Sequence, residues 1–158
     1  MMKLFNYNIA LSPVEATWAT KKTLTGSRVL GGDKPTSDWD YLARLSDFRQ
    51  SFPEHELPEE PGLAFYSLRG ESFRGRWINL ILPTTEELYQ SWRLTTLMLV
   101  SVQHLTVAND LLRDSSTRKL LFQHIKMAVT KAQRGTLEEV KEIEYDQPFG
   151  VIDFGETK

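Results

Sequence analysis

The chain has 158 residues, of which 41% are hydrophobic and 25% charged, with a formal net charge of −2. That describes a soluble globular protein of one domain, large enough to bury a core without covalent staples. Cysteine is absent, which excludes disulfides, thiolate metal sites and cysteine nucleophiles. His55, His104 and His124 lack ligand spacing, which argues against zinc. The charge argues against nucleic-acid binding driven by bulk electrostatics, while leaving room for a local basic patch. Residues 1–10 lack the charged-then-apolar pattern of a secretory leader, so the expected location is cytoplasmic. The apolar stretch from Leu94 to Val107 is too short for a membrane span and carries Ser101, Gln103 and His104. It reads as a buried helix.

In chain order, Ser12-Pro13-Val14-Glu15 is a helix start, with Ser as N-cap, Pro at the first position and Glu at N3. That helix should run to about Lys21, followed by a short strand over Lys22–Thr25 and a Gly26-Ser27 turn. Residues Gly31 to Ser37 are loop-forming, and Asp38–Leu45 reads as a strand. Over Ser46–Gly62, Phe48, Phe52 and Leu57 suggest a helical turn or two. Pro53, Pro58, Pro61 and four glutamates suggest an exposed acidic loop. Leu63–Arg69 and Gly75–Leu82 form a predicted hairpin about Gly70–Arg74, carrying Arg69, Arg74 and Arg76.

The C-terminal half reads as helical. Thr84 and Glu87 form a plausible capping box for a long helix. Its stripes are Leu88, Trp92, Thr95, Leu99 and Val102 on one side, and Leu94, Leu97, Met98, Leu105 and Leu112 on another. Such a helix should be buried on several sides, with Trp92 and Met98 in the core. Ser115 or Ser116 caps the next helix, with Leu121, Ile125, Ala128 and Ala132 at helical spacing and Gly135 at its end. Arg118, Lys119, Lys126, Lys131 and Arg134 are its expected exposed cations, either a solvated face or a surface for RNA or an acidic partner. Thr136–Ile143 reads as a short acidic helix and 145–158 as a mobile tail. The fold class is therefore α+β: a small mixed β-sheet core over 1–83, with helices packed on it and a helical part of the same domain over 84–144.

Chemistry concentrates at Asp38-Trp39-Asp40. Alternate strand residues share a face, which sets these two carboxylates about 6–7 Å apart. Like charges held so close are tolerated where water or a cation offsets them, and a hard ion such as Mg²⁺ suits carboxylate and phosphate oxygens together. The Gly26-Ser27 turn offers backbone N–H groups to phosphates. A structural calcium loop does not fit, because the following Gly and distal Glu are missing.

Gly26-Ser27-Arg28 with Gly31, then Asp38-x-Asp40 about ten residues on, resembles the DNA polymerase beta superfamily of nucleotidyltransferases. The likeness is to its minimal members, small phage-encoded ones among them, and covers residues 12 to 83. It implies a metal-dependent transfer of a nucleotidyl group from an NTP to a hydroxyl. Asp38 and Asp40 would hold Mg²⁺ or Mn²⁺, while Gly26, Ser27 and Arg28 would bind the nucleotide. The implied acceptor is a macromolecule, a tRNA end or a protein side chain, or a small alcohol.

The resemblance also implies a third carboxylate on a later strand, and the matching segment Arg76–Pro83 carries Asn79 there. An amide oxygen can ligate a metal but cannot act as a base, a role typically worth about 10²–10⁴ in rate. Three readings stay open. The enzyme runs without that base, with Asn79 positioning the hydroxyl; or Glu71 supplies the acid; or the scaffold has turned to binding, as in phage–host or toxin–antitoxin interaction.

Overall fold

The computed structural model describes residues 3–134. The expected helix over 136–143 and the tail over 145–158 lie outside them. The architecture is α+β: a five-stranded mixed sheet in the order β1-β4-β5-β3-β2, with six helices among the described residues. The strands are β1 (Lys3–Ala10), β2 (Thr23–Thr25), β3 (Trp39–Leu42), β4 (Leu63–Glu71) and β5 (Trp77–Pro83). β1 runs parallel to β4 and β3 parallel to β5, while the β4–β5 and β2–β3 pairs are antiparallel.

Side-chain alternation gives the sheet two different faces. Tyr41, Tyr66, Leu68, Ile78, Leu80 and Leu82 are buried on one, against α1 (Pro13–Ala19), α3 (Leu45–Ser51) and Leu57. Phe48 fills the centre of this core, edge-on to Trp18 at 5.6 Å and tilted to Phe52 at 5.2 Å. The intervening residues, Asp40, Asn79 and Ile81 among them, face the other side. There α2 (Ser27–Leu30), α4 (Glu86–Val102), α5 (Thr106–Arg113) and α6 (Ser115–Arg134) gather. No helix among the described residues is long and apolar enough to cross a membrane.

Several local readings hold. Ser12 and Glu15 form the capping box, with Ser12 N–H donating to Glu15 Oε1 at 2.9 Å and Glu15 N–H to Ser12 Oγ at 3.2 Å. The hairpin and the two-turn helix at Phe48 are present.

Others are corrected. β1 is not anticipated, although Phe5, Tyr7 and Ile9 alternate with Asn6 and Asn8; its partner β4 lies far along the chain. β3 stops at Leu42, and Leu45 opens α3 instead. Thr85 rather than Thr84 caps α4, accepting from Leu88 N–H at 3.1 Å. Thr84 donates instead to Leu63 O at 2.6 Å, which ties the helix entry to β4.

The long helix breaks between Val102 and Thr106. The buried side of α4 is Ser91, Thr95, Thr96 and Leu99. Leu94, Leu97 and Met98, expected inside, are exposed. Small hydroxyl side chains can be buried here because each donates to the carbonyl four residues back, as Thr95 does to Ser91 O at 2.6 Å. They let α6 approach closely: Ser91 Oγ accepts from Thr130 Oγ1 at 2.8 Å and Gln133 Nε2 at 2.6 Å. Ala128 and Ala132 on α6 accordingly point to solvent rather than to the core.

Candidate active site

Asp40 stands at the centre of a row running across four strands. Thr25 of β2 pairs with Asp40 of β3, Asp40 with Asn79 of β5, and Asn79 with Arg69 of β4. Asp38 lies two residues before Asp40 and so joins the same face. Thr25 is buried and bonded to Thr96 Oγ1 at 2.8 Å, which fixes the row to α4.

Asn79 Nδ2 donates to both acids, 3.1 Å from Asp38 Oδ2 and 3.0 Å from Asp40 Oδ1. One neutral amide therefore bridges the two like charges. Arg69 Nη2 reaches Asp38 Oδ1 at 3.3 Å from the other side. Burial pushes the Asp40 carboxyl up from its ordinary range and the neighbouring Asp38 charge adds to this, against the Asn79 hydrogen bond and the Arg69 charge.

Gly26 closes over Asp40. It has φ +79°, and a Cβ added there would overlap Asp40 Oδ2. Only glycine brings the turn so near the carboxylate. Ser27 then begins the single turn α2. Gly26, Ser27, Asp38, Asp40 and Asn79 all line one cleft of about 370 Å³.

Two other residues go elsewhere. Arg28 does not line the cleft. Its guanidinium donates to Ser37 O at 2.7 Å and Pro35 O at 3.1 Å, pairs with Asp33 at 3.2 Å, and lies 4.4 Å over the Trp39 ring. It pins the 31–37 loop. Glu71, at the hairpin end of β4, is exposed and outside the cleft lining.

The opposite wall escapes the sequence reading. Trp92 of α4 lines the cleft, half-buried between Phe65 and Phe122, with ring centroids 5.0 and 5.9 Å away. Ser115, Arg118, Lys119, Phe122 and Gln123 of α6 complete the wall. Arg118, expected exposed, is buried. Lys126, also expected exposed, lies with Nζ 3.9 Å over the Trp92 ring, and burial pulls its pKa down to about 8. No local spacing announces these residues, because they reach the acids only through the docking of α6 on α4.

The donors fit a hard cation in kind: carboxylate oxygens in an open cleft, one of them raised in pKa by burial and by its acidic neighbour. They are two acids and an amide; no group of three or more histidine or acidic residues is gathered among the described residues. No family model matches the chain, and neither a curated protein nor a solved structure shows a significant similarity to it.

Proposed function

We propose that the chain is a metal-dependent nucleotidyltransferase of the DNA polymerase beta type, acting in the cytoplasm on an NTP and a macromolecular hydroxyl acceptor, RNA or protein. The observation that carries this reading is the seating of the Gly26-Ser27 turn directly against Asp40, with Asp38 lining the same open cleft. Asp38 and Asp40 would hold Mg²⁺ or Mn²⁺, which when bound supplies charge neutralisation for the phosphates. Gly26 and Ser27 keep the phosphate chain against the acids through backbone and hydroxyl donors. The acceptor oxygen attacks the α-phosphorus, the bond to the bridging oxygen breaks and pyrophosphate leaves. Asn79 cannot take the hydroxyl proton, so it passes to water in the open cleft, and Asn79 holds the two carboxylates in place. The test is purified protein with each α-labelled NTP, Mg²⁺ or Mn²⁺, and host lysate. Label on an RNA or protein band, lost with Asp38→Asn/Asp40→Asn, supports the reading; no label under any of these conditions overturns it.

A second reading is a scaffold turned to binding or inhibition, in phage–host or toxin–antitoxin interaction. The Asn79 bridge favours it, since the amide does what a cation would otherwise do. Activity appearing only on Asn79→Asp, with wild type silent, selects this reading.

A further inference from the structure

The cleft has a second charged wall that the carboxylates do not use. Arg118 is 9% exposed, and its two hydrogen bonds both run from Nη1 to carbonyls, Gly31 O at 3.0 Å and Leu112 O at 2.9 Å. Among the described residues no carboxylate comes within ion-pair distance of it. Asp114, one helical turn back, accepts from Thr117 through N–H at 3.0 Å and Oγ1 at 2.7 Å. These bonds, with a smaller contribution from the Arg118 charge, hold its carboxyl below the ordinary range without an ion pair forming. A buried guanidinium whose hydrogen bonds reach only carbonyls gains from an anion that completes its donors. Lys119, next along α6 and exposed, lines the same cleft. The acids opposite are otherwise engaged, Asp38 with Arg69 and Asn79, and Asp40 with Asn79.

We propose that Arg118 and Lys119 form a polyphosphate-binding wall, which takes the anionic chain of a nucleotide between itself and the Asp38/Asp40 pair. Naming the ligand a nucleotide rests on the transferase reading; the anion site stands on Arg118, which forms no ion pair among the described residues, and on Lys119 beside it in the same cleft. Guanidinium and ammonium donors suit phosphate oxygens, with charge-assisted bonds stronger than neutral ones. The same guanidinium holds Gly31 O, so an anion bound there also bears on the loop beside the Gly26-Ser27 turn.

Calorimetry with inorganic tripolyphosphate, without divalent metal, tests this directly on the full chain. Wild type should bind, and Lys119→Glu should weaken binding by about tenfold or more while leaving the melting temperature in place, since the exposed Lys119 side chain makes no hydrogen bond or ion pair among the described residues. Arg118→Gln should weaken it similarly, with circular dichroism to verify folding. Asp38→Asn/Asp40→Asn should tighten metal-free tripolyphosphate binding, because two repelling charges leave the facing wall. Failure of wild type to bind, or an unchanged affinity in folded Lys119→Glu, overturns the proposal. The transferase reading fails separately: no labelled product, with tripolyphosphate binding and its Lys119 dependence intact, leaves the anion wall standing.

Discussion

Asn79 sits directly across the parallel β3–β5 ladder from Asp40, and its Nδ2 lies 3.0 Å from Asp40 Oδ1. The same nitrogen bridges to Asp38, so the amide is the keystone of the acid pair. Asn79→Asp replaces two donated hydrogen bonds with a third negative charge. Without divalent metal the melting temperature should fall by about 3–6 °C, as for loss of one or two kcal/mol in a chain of this size. Mg²⁺ should recover that loss in Asn79→Asp and raise wild type less. Thermal melts with and without Mg²⁺ decide it, and an Asn79→Asp protein indifferent to Mg²⁺ would contradict the site.

Asp40 makes the opposite prediction. Its folded pKa lies above the unfolded value, chiefly through burial. Between the two values the folded state binds more protons than the unfolded one, so stability falls as pH rises through that window. Asp40→Asn should therefore raise the metal-free melting temperature at pH 7, by about 3 °C for each kcal/mol relieved. That gain should shrink as pH falls toward the ordinary carboxylate range.

Gly26→Ala should disrupt both fold and site. The residue has φ +79° and its new Cβ would collide with Asp40 Oδ2. Strain at φ above zero costs about 1–3 kcal/mol before any overlap is counted. The expected result is a loss of at least about 2 kcal/mol in urea unfolding, together with weaker Mg²⁺ binding.

Lys126 gives a pH signature of its own. Burial lowers its folded pKa to about 8, despite the Trp92 ring 3.9 Å from Nζ. The unfolded chain holds the proton more tightly, so stability rises with pH from about 8 toward 10.5. Lys126→Met should stabilise the protein at pH 7, by an amount that shrinks as pH approaches 10. A constant difference across that range would show that the ammonium is not desolvated.

Arg28 is predicted to act on the loop rather than on the nucleotide. Arg28→Ala removes the bonds to Ser37 O and Pro35 O and the stack on Trp39. Proteolysis within residues 31–37 should quicken markedly. Inorganic tripolyphosphate affinity should change less than about threefold, against about tenfold for Lys119→Glu.

The sequence by itself determined what depends on neighbours along the chain. The Ser12–Glu15 cap closes over three residues, the hairpin turns within five, and the period of two puts Asp38 and Asp40 on one face. Pattern also marked Asn79 as the one polar residue inside an apolar strand, while its place beside the acid pair was what the family resemblance implied.

Tertiary structure decided which apolar and charged faces were covered. Helical spacing cannot say which side of α4 meets the sheet, and the buried side turned out to be hydroxyl-bearing, while Leu94, Leu97 and Met98 stayed exposed. Nor can it say that Arg28 turns away from the cleft, or that Arg118, 87 residues on from Gly31, closes upon that carbonyl. Arg28 is drawn aside by Asp33, Pro35, Ser37 and Trp39. The covered face of α4 and the burial of Arg118 come instead from the docking of the C-terminal helices, a long-range contact shared among many side chains and written in no local motif.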